Sequence, residues 1–251
     1  MPRYAYVNGR YVPHAAAQVH IEDRGYQFAD GVYEVILIRS GDLVDEEPHL
    51  DRLDRSLRSL RIPWPMPRPA LRLVMRELIR RNGVDAGTLY LQATRGVAAR
   101  DHKFPANVKP SLVATTRRTR PIPDSILAVA VSVITQPDIR WRRCDIKTIS
   151  LLPNVLGKQA AVEAGAFEAW LVDDAGNVTE GTSTNAWIVA PDGRLLTRDL
   201  GSTILAGITR SSLLQLIRSL GLAFEERSFS VAEAKAATEA FSPARPPWCC
   251  R

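Results

Sequence analysis

Apolar and polar positions alternate with the strand period through YAYVNGRYV, and the turn pair Asn8-Gly9 splits that run into a predicted hairpin. A second alternating run, GVYEVILIRSGDLVDEE, folds back at Ser40-Gly41. The period then lengthens. Leu50, Leu53, Leu57 and Leu60 in HLDRLDRSLRSL share one helical face, and a second helix is predicted from Pro69 to Asn82, closed by Gly83. TLYLQATRG and SLVATTRR alternate as strands on either side of the polar loop VAARDHKFPANVKP.

The charged, proline-punctuated stretch RRTRPIPDS has the composition of a linker, and beyond it the pattern restarts. ILAVAVSVIT and RCDIKTIS are predicted as strands and NVLGKQAAVEAGA as a helix. The strands EAWLVDD, STNAWIVA and GRLLT follow, separated by the turns DDAGN and APDG. ITRSSLLQLIRSLG, closed by Gly221, and VAEAKAATE make the last two helices. The expectation is an α+β protein without internal repeats: a small N-terminal domain over residues 1–118, a linker at 119–123 and a larger domain over 124–251.

Composition narrows the function classes. The chain has 251 residues, 45% of them hydrophobic, enough for sizeable cores. Its net charge of +6 raises the question of nucleic acid. The arginines, however, are interspersed with acids along amphipathic stretches, with no aromatic-interleaved basic block, so they read as solvated helix faces and no nucleic-acid partner is expected. No apolar run has the length of a membrane span, and MPRYAYVNGRYV lacks a signal-peptide core, so the expectation is a cytoplasmic protein with no membrane partner. Cys144 stands alone and Cys249 and Cys250 are adjacent, while His14, His20, His49 and His102 are widely separated. Neither a disulfide framework nor a metal site is expected.

Four features carry candidate chemistry. Lys147 sits in the β-branched run IKTI. Most strand lysines point at water, but a buried one loses its preference for the ammonium form and becomes a candidate Schiff-base nucleophile. Glu180 precedes the hydroxyl cluster Thr182, Ser183 and Thr184 in NVTEGTSTNAWIV. In LAGITRSSLL, Gly207 allows a sharp turn and Thr209 opens a helix, whose unpaired N–H groups suit an anion. Arg52 lies on the leucine-striped helix. Singly, these read as a solvated lysine, an exposed glutamate, an N-cap and a surface charge. Together they match what pyridoxal 5′-phosphate needs: an amine for its carbonyl, a carboxylate for its ring nitrogen, and a helix start with an arginine for its phosphate.

The segments EDRGYQFADGVYEV, HLDRL, LYLQATRG, ARDHKFP, IRWRRCDIKTISLLPNVLGKQ, VTEGTSTN and LAGITR resemble, in order from Glu22 to Arg210, the class-IV aminotransferases of fold type IV, and within them the D-amino-acid aminotransferase branch. The resemblance implies a two-domain pyridoxal-phosphate enzyme working as a homodimer on D-amino acids, D-alanine foremost, and 2-oxo acids such as 2-oxoglutarate and pyruvate. It implies that Lys147 joins the cofactor and moves the α-proton, and that Glu180 pairs with the pyridine nitrogen. Arg52, Ile208 and Thr209 would hold the phosphate. Leu205 would back the ring, Ser183 would lie near the cofactor, and Tyr33 would stand beside the lysine and the substrate. Arg100 and His102, two residues apart in ARDHKFP, would grip the substrate α-carboxylate from a neighbouring subunit, as a guanidinium fork and a second donor can. Branched-chain aminotransferase, aminodeoxychorismate lyase and an inactive relative are the alternatives within reach of the same motifs.

The resemblance stops after Phe241. Family members continue with a Thr-Ser strand, an apolar run and a terminal helix, whereas this chain ends SPARPPWCCR, a composition predicted to form neither strand nor helix. Read one base back, codons compatible with this tail permit Leu-Thr-Ser-Ala-Ala-Ser-Leu-Val-Leu-Pro. The family strand and helix therefore read as missing through a one-base loss, with reduced solubility or cofactor binding as the expected consequence.

Overall fold

The computed structural model describes residues 3–119, 130–243 and 248–250. Two compact units are present. The first comprises Met1–Pro121 with Ile146–Ser150, and the second Ile122–Asp145 with Leu151–Arg251. Of the expected linker at 119–123, residues 120–123 lie outside the described residues.

The first unit is built on an antiparallel sheet ordered β2-β1-β6-β5-β3-β4. Its strands are β1 (Tyr4–Val7), β2 (Arg10–Pro13), β3 (Gly31–Arg39), β4 (Asp42–Leu43), β5 (Gly87–Thr94) and β6 (Ser111–Arg118). Both predicted hairpins form. Asn8 (φ 45°) and Gly9 (φ 97°) join β1 to β2, and Ser40 (φ 51°) and Gly41 (φ 78°) join β3 to β4, the left-handed pairs that match the strand twist. Helices α1 (Arg24–Phe28), α2 (Glu46–Ser59) and α3 (Arg68–Asn82) complete the unit, with Gly83 closing α3 in the left-handed conformation as expected. Alternate residues Val32, Ile36 and Ile38 of β3 and Leu89 and Leu91 of β5 pack against Leu50, Leu53 and Leu57 of α2 and Leu71, Met75 and Leu78 of α3. Tyr33 and Tyr90, at the intervening positions, stack with ring centroids 5.8 Å apart.

The segment RCDIKTIS departs from the prediction. It is extended but forms no strand, and residues Ile146–Ser150 belong to the first unit rather than to the second domain. The reason is the short partner β4, which covers β3 only at Ile38 and Arg39 and leaves the start of β3 with an open edge. Tyr33 N–H donates to the Lys147 carbonyl at 3.0 Å and Ile149 N–H to the Gly31 carbonyl at 3.1 Å, while Thr148 N–H turns back to Ile146, so the ladder ends after one bridge.

The second unit holds a three-stranded sheet of β7 (Val133–Pro137), β8 (Glu168–Val172) and β9 (Val178–Gly181), ordered β7-β8-β9. A five-stranded sheet is ordered β12-β11-β10-β13-β14, from β10 (Trp187–Val189), β11 (Leu195–Thr197), β12 (Phe224–Glu226), β13 (Glu239–Ser242) and β14 (Trp248–Cys250). Helices α4 (Leu152–Glu163), α5 (Ile208–Ser219) and α6 (Val231–Ala236) answer the predicted ones. Of the expected strand over 126–135, residues 126–129 lie outside the described residues and the strand itself runs Val133–Pro137. Trp170, Val178, Ile188, Leu196 and Phe229 form one core, and Trp187, Leu214 and Ile217 another.

The tail corrects a second expectation. Trp248–Cys250 does form a strand, antiparallel to β13 with Ala240 opposite Cys250. Pro243 lies outside the paired residues Ala240–Ser242 and Trp248–Cys250, so it removes no donor from the ladder.

Candidate active site

In the first unit the candidate residues grow out of β3 and α2. Helix α2 carries two buried stripes: Leu50, Leu53 and Leu57 face the core, and beside them run His49, Arg52 and Ser56. Opposite this polar stripe stands Glu34, fully buried on the helix side of β3. Arg52 grips it bidentately, Nε to Oε1 at 2.8 Å and Nη2 to Oε2 at 2.7 Å, and His49 Nδ1–H donates to Oε2 at 2.7 Å. Burial alone would push the Glu34 pKa up. The hydrogen bonds from Arg52 and His49, with the charges of Arg52 and Lys147, more than offset it, so the carboxyl is held below its ordinary range.

Lys147 is half-buried. Its amide donates to Ser56 Oγ at 3.2 Å, one turn beyond Arg52, and its ammonium lies 4.2 Å from the centroid of the Tyr33 ring. The structure thus brings three predicted residues together, Lys147 and Tyr33 by contact and Arg52 through Glu34 and the α2 stripe. Tyr90 continues the aromatic face. Its hydroxyl donates to Gln92 Oε1 at 2.6 Å, and burial, with the neighbouring Tyr33, pushes its pKa up to about 12. Arg100 and His102 lie elsewhere in this unit, exposed on the loop between β5 and β6.

In the second unit Glu180 lies within β9, a strand whose four residues are all buried. The sequence pattern alone suggests a place between strands. Arg140 pairs with Oε1, Asn185 Nδ2 donates to Oε2 at 3.0 Å and the Leu205 amide to Oε2 at 3.1 Å. Arg140 also holds Asp138 at 2.7 Å, and its side chain is only 6% exposed. Burial works against that charge, yet the hydrogen bonds Arg140 donates to Asp138 and the charges of Glu180 and Asp138 outweigh it and raise the Arg140 pKa. Ser183 is exposed and reaches the buried carboxylate of Glu168 at 3.4 Å, which Thr182 also contacts.

Ile208 and Thr209 open α5, and the N-cap, Gly207, supplies no side-chain acceptor to the first turn. A Cβ at Gly207 would sit 2.2 Å from Asn185 Oδ1, so only glycine lets this backbone lie where it does. Its φ of −66° is ordinary, and space rather than conformation selects it. These donors fit a phosphorylated pyridine aldehyde. The second unit offers an uncapped helix start and a buried carboxylate, and the first an amine laid on an aromatic face. Glu34, His49, Arg140 and Glu168 escaped the sequence reading. The signal for the first two was a polar stripe beside the leucines of α2, while nothing in IRWRRCD sets Arg140 apart from Arg142 and Arg143.

Groups of these kinds are what an enzyme working on amines through a bound aldehyde requires. The family model described as amino-transferase class IV matches residues 31–242, and the chain belongs to this family. A D-alanine aminotransferase of Bacillus licheniformis is 44% identical over 234 residues, 93% of this chain and 82% of that protein. Among solved structures, the branched-chain amino acid aminotransferase of Escherichia coli has the same fold, with a TM-score of 0.88 and 22% identity over 100% of this chain and 85% of that one. A hypothetical aminotransferase of Mycobacterium tuberculosis, in its PLP-bound form, superposes with a TM-score of 0.82 and 23% identity over 99% of this chain and 89% of that one.

Proposed function

We propose that this protein transfers the amino group between a D-amino acid, D-alanine foremost, and a 2-oxo acid such as 2-oxoglutarate or pyruvate, using pyridoxal 5′-phosphate. The observation that carries the reading is the 44% identity to a D-alanine aminotransferase over nearly the whole chain. When bound, the cofactor supplies a ring that withdraws electrons from the substrate's α-carbon. Lys147 Nζ is the anchoring amine and, once substrate has taken its place, the base that removes the α-proton and returns it. Tyr33 confines that amine against its ring. Glu180, with Arg140 beside it, keeps a negative charge at the ring nitrogen and a proton on it.

Arg52 and the first amides of α5, at Ile208 and Thr209, hold the phosphate, with Leu205 against the ring and Ser183 nearby. Glu34 and His49 fix the Arg52 fork in advance of the anion, so less conformational freedom is lost on binding. Arg100 and His102 take the substrate carboxylate of a neighbouring subunit, and the working form is a homodimer. Among the described residues no helix is long and apolar enough to cross a membrane. A cytoplasmic location is part of the proposal.

The direct test is the absorbance of the purified protein with pyridoxal phosphate, followed on addition of D-alanine, L-alanine or L-leucine. D-alanine should convert the aldehyde band to that of the amine form, and 2-oxoglutarate should restore it. Conversion by L-leucine and not by D-alanine would replace this reading with the branched-chain one.

A further inference from the structure

The loop that carries Arg100 and His102 is held from beneath by α1. Phe28, the last residue of that helix, has the Arg100 guanidinium 5.1 Å from its ring centroid and the His102 ring 5.5 Å away. Arg24 lies 4.7 Å from the same centroid, so one aromatic ring touches both residues of the loop and a second guanidinium. Arg24 is itself immobilised. Its Nε donates to Asp30 Oδ2 at 2.8 Å, and its Nη1 donates to the backbone carbonyl of Asp101, between Arg100 and His102, at 2.6 Å. Arg95 completes the clamp on Asp30 with Nε at 2.7 Å and Nη2 at 3.0 Å, and its guanidinium lies 3.6 Å from the Phe104 ring farther along the loop. Arg24 and Asp30 have side chains 4% and 11% exposed, so this is a buried ionic brace under an exposed loop.

We propose that Phe28, clamped by Arg24, is the positioning residue of the carboxylate-binding loop, setting the separation and aim of the Arg100 guanidinium and the His102 imidazole. This rests on the reading of Arg100 and His102 as the carboxylate grip. Two donors on a surface loop lose freedom when they close on a carboxylate, and a shared aromatic platform removes part of that freedom beforehand. Phe28 itself offers no hydrogen bond to a substrate, so its influence passes through the two side chains resting on it.

The test is a kinetic cycle on the holoenzyme with Phe28→Leu, Arg100→Ala and the double variant. Phe28→Leu should raise KM for D-alanine and for 2-oxoglutarate about threefold to tenfold, with kcat and pyridoxal phosphate affinity nearly constant. Phe28→Tyr should restore the original KM. In the Arg100→Ala background the leucine substitution should add little, because the group it positions is gone. Arg24→Lys, which keeps the charge but loses the fork, should raise KM in the same way and serves if Phe28→Leu does not fold. An unchanged KM in Arg100→Ala would remove the carboxylate grip itself, and this inference with it. A raised KM in Arg100→Ala, with Phe28→Leu and Arg24→Lys silent or the effects fully additive, would leave the grip standing and overturn the platform alone.

Discussion

Arg140 is a single side chain on which two buried carboxylates depend. Asp138 and Glu180 both pair with it, and all three side chains are 6–11% exposed. Removing the guanidinium leaves two negative charges with little water, so Arg140→Ala should lower stability by about 3–5 kcal/mol in urea titrations. A loss below about 1 kcal/mol would mean that water or another cation takes its place. Lys147 makes the opposite case. It is half-buried at the edge of β3, where its carbonyl accepts from the Tyr33 N–H and its amide donates to Ser56 Oγ, contacts an alanine keeps. Lys147→Ala should therefore keep the fold while abolishing turnover and the borohydride-fixed cofactor. A variant with ordinary turnover would transfer the role to another amine. Neither residue's importance can be inferred from its type, because arginine and lysine are common and it is burial and partners that single these out.

The start of α5 is where a helix, a glycine and an amide depend on one another. Asn185 donates both to Glu180 at 3.0 Å and to the Leu205 carbonyl at 2.9 Å, and Gly207 leaves room for its oxygen. A methyl at Gly207 forces Asn185 aside, loosening the carboxylate and the helix start together. Gly207→Ala should weaken pyridoxal phosphate binding about tenfold, roughly 1.4 kcal/mol, in an equilibrium fluorescence titration. Unchanged affinity would show that Asn185 yields without consequence.

Elements of this kind were unequally legible in the sequence. The leucine stripe marked α2, Gly83 the end of α3, and Asn8-Gly9 and Ser40-Gly41 their hairpins, since local stereochemistry decides each. Strand β9 was missed because VTEG has a polar half and a glycine, and it is a strand only through its pairing with β8. The run at Lys147 was over-read for the converse reason: its β-branched residues favour extension, but only one short stretch of β3 edge is open to it.

At the scale of the molecule, both units rest on buried ion pairs of the same sign of pH dependence. Burial raises the pKa of Asp30, but hydrogen bonds from Arg95 and Arg24 more than offset it. Glu34 is likewise raised by burial and lowered further by Arg52 and His49, and Asp138 by Arg140 and Thr179. Each folded carboxyl thus sits below its ordinary value, so the folded state binds fewer protons than the unfolded chain as pH falls towards about 4. The stability they contribute is fully present above that range and is lost as pH drops through the lower folded values.

Asp30 and Glu34 belong to the first unit and Asp138 to the second, so neither unit escapes. Urea midpoints should change little between about pH 7 and 5 on account of these groups and fall steeply below about 4. Far-UV circular dichroism would follow both units, and tryptophan fluorescence would weight the second, which holds Trp141, Trp170, Trp187 and Trp248 against Trp64 in the first. Asp30→Asn should lower the midpoint at neutral pH and flatten its acid dependence, because the amide neither gains a proton nor pairs with two guanidiniums as a carboxylate does. A steep acid limb of full size in that variant would place the titrating carboxylates elsewhere in the chain.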